Sequence, residues 1–363
     1  MLGGMSITPG PSNSLSTRST PRVPPELLAP AGDRLAAEAA VAAGADAVYF
    51  GLDTKTNFNA RARAKNIPLD ELGDLVAWLH RHGVKAYVTL NTLVFTGELA
   101  EAEQVLRHLA ASGADAVLVQ DLGVARLARA VCPTLPIHAS TQMSLTSAEG
   151  IAAAESLGIE RVILARELSI DAIGAIARQT TITLEVFVHG ALCISYSGQC
   201  LASRTLGGRS ANRGDCAQIC RLPYRLACDD VSTESVPSYL LSPQDLAAFE
   251  LVPELIQAGV GALKIEGRLE SAGYVVAVVR PYRRAIGSAM AGASPQYAPE
   301  DVRRLEAVFS RGLSHGWLEG DRPKELVTGQ GSAHRGSPLG KVTRVHRNRV
   351  EAELAMPVQI GRA

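Results

Sequence analysis

The chain reads as an α/β protein of the TIM-barrel-like (β/α)8 type, carrying a cysteine-rich insertion and followed by the start of a small β-rich module. Two observations predict this. A phrase made of a Gly helix stop, a short turn and a β-branched run recurs along the chain, and Ala- and Leu-rich helical segments separate most of its copies. Strands alternating with helices imply a parallel sheet, and about eight of them suggest that the sheet closes on itself. A doubly wound open sheet has the same periodicity and stays open as the alternative.

The elements follow in order. A short run near Leu27 is the first strand, and Asp33 to Ala43 the first helix. Gly-Ala-Asp-Ala-Val-Tyr-Phe-Gly ends at Gly51, and the next strand ends at Asn91. Glu98 to Ala111 is helical, and its strand ends at Asp121. Further strands lie near Ile137, before Glu167, near Thr183 and before Arg268. The barrel takes residues 26–290, with the cysteine-rich insertion at 190–235. Residues 291–335 read as a helical linker, with a helix from Pro299 to Leu313, and 336–363 as the start of a β-rich module. That last stretch resembles the interior of such a module, which predicts a truncated chain or an incomplete second domain.

Composition narrows the function. Lys and Arg (36) balance Asp and Glu (36), so no global field draws the chain to nucleic acid or anionic membrane, and RNA contact would need a local patch. No run is apolar enough to span a bilayer. Residues 1–25, rich in Ser, Thr, Pro and Gly, read as a disordered tail and not a signal peptide. A cytoplasmic location follows, where six cysteines serve as ligands or nucleophiles rather than disulfides.

Active sites of such barrels gather at the C-terminal strand ends. Those ends carry Asn91, Gln120, Asp121, His138, Gln142, Arg166, Glu167, His189, Glu266 and Arg268. Wet loops alone account for part of that polarity. Two strands stand out. A period of two puts Glu185, Phe187 and His189 on one face, and Lys264, Glu266 and Arg268 on another. If these faces point into the barrel, Glu185 and Lys264 form a buried pair, whether structural or catalytic.

Four cysteines lie between His189 and Arg221: Cys193, Cys200, Cys216 and Cys220. The loop between the pairs is small and polar, and a metal centre would order it. Soft thiolates select zinc or iron–sulfur clusters, and only Cys216–Cys220 has the tight spacing of a zinc knuckle. The wide Cys193–Cys200 spacing favours a [4Fe–4S] cluster, whose ligands need not chelate one ion. Cys132 and Cys228 lack that setting and read as core or surface residues.

The segment from Glu185 through Cys193 and Cys200 to Ser203 resembles the signature of the collagenase-like peptidases of unassigned catalytic type, the thirty-second family of that series. Similar motifs run at Glu26–Gly32, Asn212–Gln218, Leu263–Arg268 and Phe309–Leu313, so the resemblance covers most of Glu26 to Leu318. The resemblance implies an iron–sulfur protein acting in oxygen-independent hydroxylation of RNA bases or of a quinone precursor, with prephenate used by some RNA-directed members. It also implies that Cys193, Cys200 and Cys216 are cluster ligands. Cys220 is the expected fourth, since the position used by other members is Ala247 here.

Hydroxylation of a tRNA or rRNA base is therefore the leading expectation. Arg204, Arg209, Arg213, Arg221 and Arg225 surround the cysteines and offer contacts to RNA phosphates, or else pair with Asp215, Asp229 and Asp230. The expected site places His189 as proton carrier, Arg166 or Arg268 as clamp for a small carboxylate such as prephenate, and Glu185 and Glu266 beside them. A peptidase is the rival, with a conceivable Cys193–His189 dyad, although no His-Glu-x-x-His helix or Gly-x-Ser-x-Gly elbow is present. A non-catalytic iron–sulfur subunit paired with a homologous partner is the third class.

Overall fold

Helix α1 (Arg34–Ala43) begins where the Asp33 carboxylate accepts the Ala36 N–H and stops at Gly44. The same grammar repeats around the molecule. Asp121 caps α4 (Leu122–Val131), Ser147 caps α5 (Ala148–Glu155), Ser169 caps α6 (Ile170–Ala177) and Ser271 caps α8 (Ala272–Met290). Asp121, a candidate from its place at a strand end, is thus spent on the start of a helix.

The structure, a computed structural model, describes residues 23–227, 229, 235–295 and 297–355. Most of the expected disordered tail, Cys228 and residues 356–363 lie outside the described residues. The remaining barrel elements are β1 (Glu26–Pro30), β2 (Ala47–Asp53), α2 (Leu72–Arg81), β3 (Lys85–Leu90), α3 (Leu99–Ala111) and β4 (Ala116–Val119). After them come β5 (Ile137–Ala139), β6 (Ile159–Ile163), β7 (Thr183–Gly190), α7 (Val252–Gln257) and β8 (Ala262–Ile265).

All eight strands are parallel, and β8 pairs with both β1 and β7. The sheet closes. This decides for the barrel over the open sheet, a choice that periodicity cannot make. Leu27, Val48, Val88, Val117 and Val186 lie buried between the sheet and the helix ring.

The cysteine-rich insertion leaves β7 at its C-terminal end. It returns through a short strand, Asp245–Ala247, antiparallel to β7. That strand takes Leu313–Ser314 as a parallel neighbour, and Arg311 grips Asp245 at 2.6 Å, so the Phe309–Leu313 motif ties the linker to the insertion. The linker helix runs Pro299–Val308, shorter than expected because Phe309 is extended. Behind it, Gly340–Val345 and Val350–Leu354 form an antiparallel hairpin, as the alternation there predicts.

Candidate functional site

Inside the lower barrel, the inward faces carry charge that is fully matched. Glu185, completely buried, accepts from Lys264 Nζ at 2.8 Å and from Arg161 at 3.3 Å. Arg161 continues to Glu26 at 2.6 Å, and Glu26 also takes Lys85 and the Tyr87 hydroxyl. Burial raises the Glu26 carboxyl, but Arg161, Lys85 and Tyr87 outweigh it and hold it below its ordinary value. Burial lowers Lys264 against the pull of Glu185. The Glu185–Lys264 pair expected from the alternation is present, inside a larger ion network.

Above this layer the barrel opens into a cleft of about 450 Å³, counting the space at its mouth. Four cations line it, Arg61, Arg166, Lys264 and Arg268, against one carboxylate, Glu266. Arg61 takes that carboxylate at 3.0 Å. Arg268 donates to neutral groups only, Thr89 at 3.0 Å and Asn66 at 2.5 Å. Arg166 donates to the Ala191 carbonyl at 2.8 Å and stacks over Phe187. The Nε atoms of Arg166 and Arg268 are both buried without a partner among the described residues. Burial lowers Arg166 and pushes Arg268 down to about 10. Two guanidinium groups with buried Nε atoms and no carboxylate of their own make a site suited to an anion. Gly51 makes room for it: a Cβ there would lie 2.2 Å from Arg268 Nη2 and 2.4 Å from Asn59 Oδ1.

The insertion docks over this mouth at two points, and a third tie closes it on itself. Ser197 donates from its N–H and hydroxyl to Glu167, and the Ser144 hydroxyl donates to the Ser197 carbonyl, fixing the Cys193–Cys200 loop. Asn57 donates to the Arg213 carbonyl at 3.0 Å, and Gly214 (φ 79) packs so closely on Asn59 that a Cβ would fall 2.0 Å from its carbonyl oxygen. Arg221 donates to Ser242 at 2.8 Å and to the carbonyls of Pro243 and Leu192.

These contacts hold the insertion that carries the four thiols over the mouth. Burial pushes the Cys220 thiol up; Arg221 opposes this, and charge on Cys193, Cys216 and Cys200 reinforces it. Charge on Cys193 is felt by Arg166, and charge on Cys216 by Arg61, which brings these two thiols near the cleft's cations. All four are half-buried and free. Cys216 Sγ accepts the Gln218 N–H at 3.4 Å and lies 3.9 Å from the Ser203 hydroxyl. Among the described residues, no set of three or more His, Cys, Asp or Glu side chains converges tightly enough for one metal ion. Cys132 is buried in the core, as its setting predicts.

Of the expected site residues, Asn91, Gln142, Arg166, Glu266 and Arg268 line the cleft. Glu185 lies in the layer beneath it. His189 is turned away, which corrects its expected place on the face of Glu185 and Phe187. A bulge in the β7–β8 pairing makes Phe187 oppose Lys264 but His189 oppose Ile265, so the alternation reverses beyond Val188. His189 packs against Tyr274 and Tyr282 of α8, with Nδ1 3.3 Å from the Tyr282 hydroxyl, and burial lowers its pKa to about 3. It is neutral near pH 7 and lies outside the lining residues, so it is placed neither as proton carrier nor as partner for Cys193. His138 points inward against Tyr87 but below the cleft. Glu167 and Glu266 leave both expected arginine forks free, because Ser197 takes the first and Arg61 the second. Among the five insertion arginines, Arg209 pairs with Asp215, Arg213 with Glu98, and Arg221 ties the two ends of the insertion together. Arg61, Thr89 and Asn66 were not anticipated; the basic run Arg61–Lys65 after β2 is the only sequence signal for them.

Residues 32–328 match the model of peptidase family U32. The chain belongs to this family. It is 37% identical over 343 residues to the 23S rRNA 5-hydroxycytidine C2501 synthase of Escherichia coli, covering 93% of this chain and 51% of that protein. It is 36% identical over 268 residues to tRNA hydroxylation protein P1 of Bacillus subtilis, covering 72% and 63%. A collagenase of Porphyromonas gingivalis is 33% identical over 325 residues, covering 85% and 76%. The chain thus spans about half the length of the Escherichia coli relative. A solved U32 peptidase, Mk0906, superposes with a TM-score of 0.45 at 15% identity, over 67% of this chain and 93% of that one. Among the described residues no helix is long and apolar enough to cross a membrane.

Proposed function

We propose that this U32 protein is a cytoplasmic enzyme that hydroxylates a base of tRNA or rRNA without oxygen, using a [4Fe–4S] cluster and a small carboxylate such as prephenate. The observation that carries the reading is the juxtaposition, at one barrel mouth, of an insertion bearing four thiols, whose charges act on Cys220 and on Arg166, with Arg166 and Arg268, whose buried Nε atoms have no partner among the described residues. Relatives named for rRNA and tRNA hydroxylation support the RNA substrate.

Cys193, Cys200, Cys216 and Cys220 would hold the cluster. Four soft thiolates on one insertion are ligands of the kind an iron–sulfur cluster takes. Such a cluster supplies one-electron chemistry at the mouth. The protein's own residues do the rest. Arg166 and Arg268 bind and orient a carboxylate, Glu266 holds Arg61 against the rim, and Phe187 and Tyr49 keep the cleft floor apolar.

The U32 family name and the Porphyromonas relative favour proteolysis as the second reading. The geometry opposes a Cys193–His189 dyad, since His189 faces α8. Protein purified without oxygen is expected to carry about four irons and four sulfides per chain, because four thiolates suit a cubane. A deletion strain should lose one hydroxylated nucleoside from total RNA by mass spectrometry. An unchanged nucleoside profile, together with cleavage of denatured collagen by the pure protein, would overturn the proposal.

A further inference from the structure

The cleft contains one amine. Lys264 is 2% exposed, and its Nζ lies 4.2 Å from the centroid of Tyr49 and 5.6 Å from that of Phe187, two residues that line the cleft with it. Its hydrogen-bond partner is Glu185, at 2.8 Å. Glu185 already has a second cation in Arg161, so the lower network keeps a counter-charge without Lys264. A compact amine on a flexible stem, desolvated and set beside other cations, is the arrangement that makes lysine a nucleophile toward carbonyl carbon. Burial and the charges of Arg161 and Arg268 all favour its neutral form, against Glu185.

We propose that Lys264 captures the carbonyl of an α-keto acid as an imine, with the acid's carboxylate held by Arg166 and Arg268. This rests on the reading of the cleft as a carboxylate site and adds a covalent step to it. The carboxylate and carbonyl of an α-keto acid are on adjacent carbons, and the cleft offers guanidinium donors and an amine on the same walls. The step balances within these groups. Lys264 passes one proton to Glu185, and the amine lone pair adds to the carbonyl carbon to give a carbinolamine. The hydroxyl of that adduct takes the proton back and leaves as water, so an ammonium and a ketone become a protonated imine and water. No oxidant or reductant is consumed. Glu185, placed below the cleft, thereby acquires a role through Lys264 as its proton partner.

The test is reductive trapping. The full chain is incubated with sodium cyanoborohydride and either pyruvate or lactate, then digested with trypsin and mapped by mass spectrometry. With pyruvate, the peptide spanning Lys264 should carry a reduced adduct and resist cleavage after that residue. Lactate, which has no ketone, should give none. Lys264→Arg keeps the charge and should abolish the adduct, with folding checked by near-ultraviolet circular dichroism. Arg268→Gln should lower the yield by about tenfold or more, the loss of one charge-assisted contact. Thermal-shift titration with both acids separates the two layers of the reading. If both acids raise the melting temperature equally and no adduct forms, the carboxylate site stands and the imine is overturned. If neither binds, both are overturned. Adducts spread over exposed lysines such as Lys65, with Lys264 spared, also overturn the imine; should Lys264→Arg fail to fold, this site map of the wild type decides alone.

Discussion

The lower and upper halves of the barrel interior are both charged, yet they are built on opposite plans. Below, Glu26, Lys85, Arg161, Glu185 and Lys264 form a closed network in which every charge meets an opposite one. Above, Arg268 is as deeply buried and Arg166 half-buried, but they rest on a carbonyl, a hydroxyl and an amide. Matched buried charge holds a structure in one register, whereas unmatched buried charge is tolerated only where a ligand supplies the missing sign. The comparison divides ions matched within the fold from ions left without a counter-charge on a single barrel axis, with Lys264 reaching from the first set into the cleft.

It can be broken most decisively from below. Glu185→Gln leaves Lys264 and Arg161 facing each other across a neutral group, and should cost about 3–5 kcal/mol in urea denaturation. A loss under about 1 kcal/mol would mean that the lower network is not what secures the barrel.

A second effect separates His189 from the cleft. Its pKa is near 3 in the fold and about 6.5 in an unfolded chain. The unfolded state therefore binds more protons between those values, so the stability that neutral His189 contributes is complete above about pH 6.5 and lost as pH falls toward 3. The slope is about 1.4 kcal/mol per pH unit. His189→Phe should flatten the acid limb of a stability–pH curve by that amount, while leaving carboxylate binding unchanged in thermal-shift titrations.

The upper half predicts the reverse of the lower. Arg268→Met removes an unmatched buried cation and should leave stability unchanged or raise it by about 1 kcal/mol, yet abolish carboxylate binding and RNA hydroxylation. A destabilisation matching that of Glu185→Gln would erase the distinction between the two halves.

The smallest effect concerns the rim. Arg213 and Glu98 pair at 2.6 Å with both partly exposed, and Arg213→Ala should cost at most about 1 kcal/mol. Its informative readout is iron content, expected to survive there and in Cys132→Ala but to vanish in Cys193→Ala, Cys200→Ala or Cys216→Ala.

The repeated Gly–turn–β phrase settles five of the eight strands locally, because a helix stop followed by a β-branched run leaves the chain few choices of conformation. Alternation along Leu184–His189 and Leu263–Arg268 likewise gives the Glu185–Lys264 pair. It fails at His189, since one bulged residue reverses every face beyond it, and a bulge has no composition of its own. Cysteine spacing marks the insertion but not which latches aim it. Those depend on Ser144 and Asn57, which lie outside the insertion in the chain.

The sequence by itself determined the elements, their order, the buried ion pair and the thiol set, since each follows from short-range periodicity or residue chemistry. Tertiary structure alone decided that the sheet closes, that Arg61 and not Arg268 takes Glu266, and that Arg166 and Arg268 converge unmatched beneath the thiols. Whether a charge is free depends on which neighbours reach it first in three dimensions, and those neighbours come from loops separated by up to about two hundred residues of chain.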